Sequence, residues 1–207
     1  YALRTIEEVA RRYAIAGVHL DYIRWPEHHT DYGPVSRAAF ERTMGVRARR
    51  WPADVQPGGA LHPAWVEWRA RVISDFVQRA RLTLRRVRPE ARLSAAVWGN
   101  YPGCVQSVGQ DWGLWLKRGW VDFVAPMNYT ENLQSFIALT RRQLALPTAQ
   151  GRIFPGIGVT SSESSLSPDL VIEQIAAARR LGAKGFALFH MNAELRDQVL
   201  PLLRPPP

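Results

Sequence analysis

Short apolar runs alternate with helical patterns five times along this 207-residue chain, and that alternation narrows its possible folds more than any other feature. Residues 4–15 place Ile6, Val9, Ala10, Tyr13 and Ala14 on one helix face, and Gly17-Val18-His19-Leu20-Asp21-Tyr22 then reads as a short buried strand ending on a carboxylate. Residues 26–60 hold many Pro, Gly and His and predict an extended loop with one helix near 35–44; a loop of that length in a compact domain is usually functional. From His62 to Val87, Trp65, Trp68, Val72, Phe76, Ala80 and Leu84 recur at three- and four-residue intervals, and Pro89 stops the helix they predict. Ala91 to Trp98 is the second strand, from which Asn100-Tyr101-Pro102-Gly103 turns away into a short helix from Asp111 to Arg118. Val121 to Tyr129 is the third strand, 132–145 the next helix and Arg152 to Gly158 the fourth strand. Ser167-Pro168-Asp169 supplies a cap, a first-position proline and a first-turn acid for a helix reaching Gly182. Gly185 to His190 is the fifth strand, and a last helix ends near Leu203.

Strands that are nearly all apolar and separated by helices predict a parallel sheet covered on both faces, an α/β fold. A flavodoxin-like sheet also has five strands, but no glycine-rich phosphate loop follows any strand here. The strand ends carry Asp, Trp, Asn, Tyr and His instead, which suits the C-terminal face of a (β/α)₈ barrel. Five units are too few to close one. The chain therefore reads either as part of a barrel with about three further βα units upstream or as an open half-barrel, one domain over residues 1–204 with 205–207 as a tail. Its first and last strands would be open edges that upstream barrel strands or a second chain must cover.

Composition mainly excludes. Cys104 is the only cysteine, so neither an internal disulfide framework nor a cysteine-built metal cluster is available. No run of about 18 apolar residues exists to span a membrane, and Ala2 to Ala14 read as an amphipathic helix rather than an export signal. The net charge of +9 is nearly all arginine, since lysine occurs only at 117 and 184. Its densest stretch, Arg79 to Arg88, interleaves arginines with Leu82, Leu84 and Val87 as the outer end of a buried helix would, and no nucleic-acid signature accompanies it. A nucleic-acid partner would rest on charge alone. His28 and His29, with His19 and Asp31, are the only conceivable metal cluster, but their spacing matches no zinc pattern; neither metal nor other cofactor is expected.

Asp21 is the leading chemical candidate. Strand alternation puts it on the same side as His19, with Val18 and Leu20 opposite, and Arg24 follows just beyond. Carboxylates at this end of a barrel strand are usually catalytic, although an Asp21–Arg24 pair could simply pin the loop. Hydrolysis of a glycosidic bond needs a second carboxylate about 5–10 Å away. Glu131, past the third strand, is the best placed, with Glu27 and Asp31 on the long loop as alternatives; Asp111 reads as a helix cap, and Asp122 stands at the wrong end of its strand. Sugar faces stack on aromatic rings, so Trp25, Trp98, Tyr101 and Tyr129 at strand ends suit a saccharide, whereas Trp65, Trp68 and Trp112 read as core. Asn100, Asn128, His190 and Asn192 are candidates to bind its hydroxyls.

Gly17-Val18-His19-Leu20-Asp21-Tyr22-Ile23-Arg24-Trp25-Pro26 resembles the fourth-strand motif of the glycosyl hydrolase-like family 10 proteins. Val121 to Tyr129, with its initial Asp and final Pro-x-x-Tyr, is similar to their sixth strand, and Gly156-Ile157-Gly158 and Gly185 to Phe189 to their seventh and eighth. The resemblance spans nearly the whole chain. It implies a (β/α)₈ barrel represented here by strands four to eight, hydrolysis of bacterial envelope or other polysaccharides, and an exported or envelope location. The third strand is similar also to that of family 18 chitinases, but two acids of the chitinase motif are replaced by His19 and Ile23, which argues against substrate-assisted chemistry. The competing readings are an inactive glycan-binding barrel and a metal-dependent carbohydrate hydrolase or deacetylase.

Overall fold

The computed structural model describes residues 1–27, 29–149 and 151–203; the expected tail at 205–207 and the candidate ligand His28 lie outside them. Five strands form one parallel sheet in sequence order: β1 (Gly17–Leu20), β2 (Arg92–Trp98), β3 (Phe123–Met127), β4 (Gly156–Gly158) and β5 (Ala187–Phe189). Helices α1 (Ala2–Arg12), α2 (Pro34–Met44), α3 (His62–Val87), α4 (Gly103–Val108), α5 (Trp112–Lys117), α6 (Leu133–Leu144) and α7 (Pro168–Arg180) separate and flank them. This is the α/β architecture of a partial (β/α)₈ barrel, as the alternation predicts.

The ends of these elements follow local chemistry. Pro63 and Pro168 occupy first turns, where a missing N–H costs nothing. Asp111, Asn132 and Ser167 cap α5, α6 and α7 through side-chain oxygens that accept from Leu114, Ser135 and Leu170 backbone N–H groups. Asp111 is thus the cap that its position predicts. Several strands are shorter than their apolar runs. Ile153 bridges to Val124, but Pro155 has no N–H to continue the ladder, so β4 proper begins at Gly156. The last expected helix is a π turn (Leu195–Val199) followed by a 3₁₀ turn (Leu200–Leu203), with Pro201 removing one donor. Helix α4 has no counterpart in the periodicity, because six residues are too few to show one.

The chain packs as two compact units. The first comprises Tyr1–Leu93 with Asn100–Val121, the second Ser94–Gly99 with Asp122–Pro207. In the first, the long loop is folded down by aromatic packing. Phe40 of α2 is fully buried against Trp65, edge to face at 5.1 Å, and against Trp68 at 5.9 Å. Trp65 and Trp68 stack at 4.7 Å, and Tyr32 and Trp51 close the cluster, Trp51 Nε1 donating to the Tyr32 carbonyl at 2.8 Å. The arginine-rich end of α3 departs from a solvated face at one position. Arg81 is buried and donates to the Trp120 carbonyl at 3.0 Å, while Arg86 pairs with Glu7 and Arg88 holds the Ala10 carbonyl on α1. The second unit has its own core, in which Ile157 and Val159 meet Phe136 of α6, Val171 and Ile175 of α7, and Leu195 and Val199 of the final turns. Among the described residues no helix is long and apolar enough to cross a membrane.

The aromatic cluster yields a direct test. Phe40→Ala should lose about 3–5 kcal/mol in urea unfolding, the usual cost of emptying a buried aromatic site, together with near-ultraviolet signal from the tryptophans. A loss below about 1 kcal/mol would show that the long loop does not depend on this packing.

Candidate functional site

In the first unit the sequence between β1 and the long loop is pinned from below and left open above. Leu20, the last strand residue, is buried; His19 and Asp21 lie on the opposite side, as alternation requires, and are exposed, so β1 is not the buried strand that its apolar run predicts. The chain then turns sharply, with Tyr22 in the left-handed region at φ 54°, a conformation uncommon for a non-glycine residue. Asp21 Oδ1 accepts the Tyr22 N–H at 2.7 Å and so satisfies the strained residue. Arg24 does not pair with Asp21. Its guanidinium lies over the Tyr22 ring, 4.0 Å from the centroid.

Beyond that turn the backbone is fixed by three hydrogen bonds. Gln110, fully buried, donates Nε2 to the Ile23 carbonyl at 3.1 Å; Trp25 N–H donates to the Val108 carbonyl at 3.0 Å; Trp25 Nε1 donates to the Arg69 carbonyl at 3.0 Å. Trp25 is thereby engaged in the fold, its indole packed at 5.9 Å from Trp68. Tyr101 is held in a similar way. Its hydroxyl donates to Asp111 Oδ1 at 3.1 Å, and its ring lies 4.5 Å from Trp112 and against Gly113, where a Cβ would come within 2.6 Å of Cζ. Burial, reinforced by the Asp111 carboxylate, raises the Tyr101 pKa well above its ordinary value. Asn100 stays exposed.

In the second unit the candidates divide likewise. Asn128 is completely buried, donating Nδ2 to Thr140 Oγ1 and to Gln143 Oε1 and accepting from Gln143 Nε2 at 2.7 Å, while the same Gln143 nitrogen holds the Gly99 carbonyl. Both ends of its amide serve the fold. Trp98 is half-buried at the end of β2, opposite Met127 in register. Tyr129 stacks on Phe189 at 5.3 Å and 13°, over Gly158, whose missing Cβ would lie 2.8 Å from the Tyr129 Cγ. Glu131 is exposed and accepts the Ser165 N–H at 3.0 Å. His190 and Asn192 converge on Thr160: His190 Nδ1 lies 3.0 Å from its carbonyl and Asn192 Nδ2 donates to its Oγ1 at 3.2 Å. The Thr160 hydroxyl donates in turn to Glu194 Oε2 at 3.0 Å.

The structure thus gathers His19, Asp21 and Arg24 in one place and Tyr129, Glu131, His190 and Asn192 around the ends of β3 to β5 in the other unit. Thr160, Phe189 and Glu194 join the second group without having been candidates. Glu194 could have been found, for it is an acid just past a strand end, the criterion that singled out Glu131. Among the described residues no three His, Cys, Asp or Glu side chains group as metal ligands.

His19 is exposed at its edge, yet neighbouring atoms strip enough water from the ring to hold its pKa below the ordinary 6.5, with Asp21 opposing the shift. The unfolded chain therefore takes up the proton first, and His19 lowers stability as pH falls through that range. Asp21→Asn removes the opposing charge, so His19 should titrate at a lower pH in the variant, as followed by its ring-proton resonances; an unmoved titration would mean that the two groups do not interact. Gln110→Leu should leave the Ile23 carbonyl without its donor at a cost of about 1–3 kcal/mol and speed hydrogen exchange at Trp25. Unchanged exchange there would show that Gln110 does not anchor the segment.

Comparison with known proteins agrees with this layout. A structure of the PgaB (BpsB) glycoside hydrolase domain from Bordetella bronchiseptica superposes with a TM-score of 0.73, covering 91% of this chain and 57% of that one at 17% identity. Bee venom hyaluronidase in complex with a hyaluronic acid tetramer gives a TM-score of 0.51, with 89% and 68% covered at 14% identity. At these identities the likeness concerns the fold. In sequence, the chain is 33% identical over 200 residues to an S-layer-related protein of Niallia circulans, spanning 84% of itself and 12% of that relative's length. Residues 1–153 match the family model described as glycosyl hydrolase-like 10, and the chain belongs to that family.

Proposed function

We propose that the protein hydrolyses glycosidic bonds in a polysaccharide and that Asp21 is the carboxylate on which the reaction turns. The observation that carries this reading is the position of Asp21: first residue past β1, exposed, and held at one oxygen only, by the Tyr22 N–H. Its remaining oxygen faces no hydrogen-bond donor among the described residues. A carboxylate that merely secured the loop would be expected to pair with Arg24, whose guanidinium instead covers Tyr22. The strained turn fits the same reading, since residues in sparsely populated backbone regions cluster at functional sites.

In such a reaction one carboxyl group protonates the leaving oxygen or attacks the anomeric carbon, and a second assists from the other side. Glu131 is our candidate for the second, and Tyr129 and Phe189 offer partly exposed aromatic surface to a sugar ring. The family supports glycan chemistry in general, and the likeness to a glycoside hydrolase domain and to a hyaluronidase bound to hyaluronic acid supports the choice of substrate class. An envelope location fits the similarity to an S-layer-related protein. The second reading is a barrel that binds glycan without cutting it. It is favoured by one observation, the engagement of Glu131 with the Ser165 backbone, which is work a purely structural glutamate would do.

Release of reducing ends from a polysaccharide panel that includes peptide-stripped peptidoglycan separates the two. The full-length protein should cleave at least one member, and Asp21→Asn should lose activity by about a hundredfold or more while folding normally. Glu131→Gln should lose a comparable factor if it is the second carboxylate. Binding without cleavage would establish the second reading, and no binding to any glycan would remove both.

A further inference from the structure

The ends of β4 and β5 carry a polar cluster centred on Thr160, and its hydrogen bonds run in fixed directions. The Thr160 carbonyl can only accept, so His190 Nδ1, 3.0 Å away, carries the proton. In the neutral ring Nε2 is then an acceptor, and His190 is exposed to present it. Asn192 Nδ2 donates to Thr160 Oγ1, which must therefore send its own hydrogen onward, to Glu194 Oε2 at 3.0 Å. That leaves Oε1 of Glu194 with no hydrogen bond among the described residues. Asn192 is committed at its other end too, its Oδ1 accepting the Leu195 N–H at 2.8 Å. Thr160 is held from behind by the Phe189 carbonyl, which its N–H reaches at 3.3 Å, and across its loop by pairing with Ser165, whose N–H binds Glu131. The segment also contains a π turn at Leu195–Val199, an irregularity often found at functional sites. The one cation on it, Arg196, is taken up by Asp197 at 2.7 and 2.8 Å.

Resting on the reading that this protein acts on a polysaccharide, we propose that His190 and Glu194 form an acceptor pair that recognises hydroxyl groups of an uncharged sugar unit and disfavours a uronic acid. Both groups offer lone pairs and no hydrogen. A sugar hydroxyl supplies the hydrogen each one lacks, whereas a uronate carboxylate would bring a third acceptor, negatively charged, against Glu194. Thr160 is the positioning residue, fixing the histidine tautomer through its carbonyl and the glutamate through its hydroxyl. The positive net charge of the whole chain predicts the opposite preference, so the two influences can be told apart.

The test is calorimetric binding to the full-length protein carrying Asp21→Asn, so that ligand is not consumed. The probes are cello-oligosaccharides and chitin oligosaccharides against hyaluronan oligosaccharides of equal length. An uncharged probe should bind more tightly than hyaluronan, and adding Glu194→Gln should weaken it by about tenfold, with a similar loss for His190→Phe. Glutamine can still accept from Thr160, so the fold is kept while a donor is introduced. The His190 ring-nitrogen shifts should report a protonated Nδ1 in the free protein and a change at Nε2 on adding sugar. Unaltered affinity in both variants, or stronger binding of hyaluronan, would overturn the acceptor pair while leaving an Asp21-dependent hydrolase intact. If the unsubstituted protein neither binds nor cleaves any saccharide, both proposals fall.

Discussion

Burial of the three central strands, β2, β3 and β4, is the constraint on which the rest of this structure depends. Leu93, Ala95 and Val97 of β2, Val124 of β3 and Ile157 of β4 are all fully buried, because a parallel sheet flanked by helices has little surface to give to water. Polar groups inside such strands would need partners there, and the few present have them or are small. Chemistry is thereby displaced to the first residues past each strand, where the backbone leaves the sheet and side chains reach solvent. Asp21, Tyr129 and His190 occupy such positions.

Placing a polar residue past a strand is not enough to make it available, since the same residues must also end the strand and start the next connection. Tyr101 and Asn128 show the cost. Tyr101 closes the start of α5 through Asp111, and Asn128 locks β3 to α6 through a paired amide contact with Gln143. Each is engaged because a buried polar atom left without a partner is more expensive than the bond it would otherwise make to a ligand. Asp21 and Glu194 escape because each spends only one oxygen on the fold.

The long connection after β1 illustrates how a segment poor in regular structure is kept in place. Its tryptophans and tyrosine supply large apolar areas with few rotatable bonds, and they pack, stacked, tilted or edge to face, against the two tryptophans that α3 presents three residues apart. The segment carrying Asp21 and Tyr22 is fastened at its far end to this aromatic mass through Trp25. That support fixes the far end of the strained turn at Tyr22.

Much of this was legible in the sequence. Apolar periodicity located all five strands and the 62–87 helix, and cap residues marked the starts of α5 and α7, because both signals depend on neighbours within a few residues along the chain. That His19 and Asp21 lie opposite Leu20 followed from strand alternation, whereas their exposure did not, since the apolar run predicts a buried strand. What only the tertiary structure decided is which strand-end residues are engaged in the fold. Trp25 turns into the core because Trp68 and the Arg69 carbonyl are there to receive it, and Thr160 gathers His190, Asn192 and Glu194 because β4 and β5 pair in register. Those partners lie 30 to 44 residues away, and the direction of a hydrogen bond depends on what stands at its other end, which no local pattern encodes.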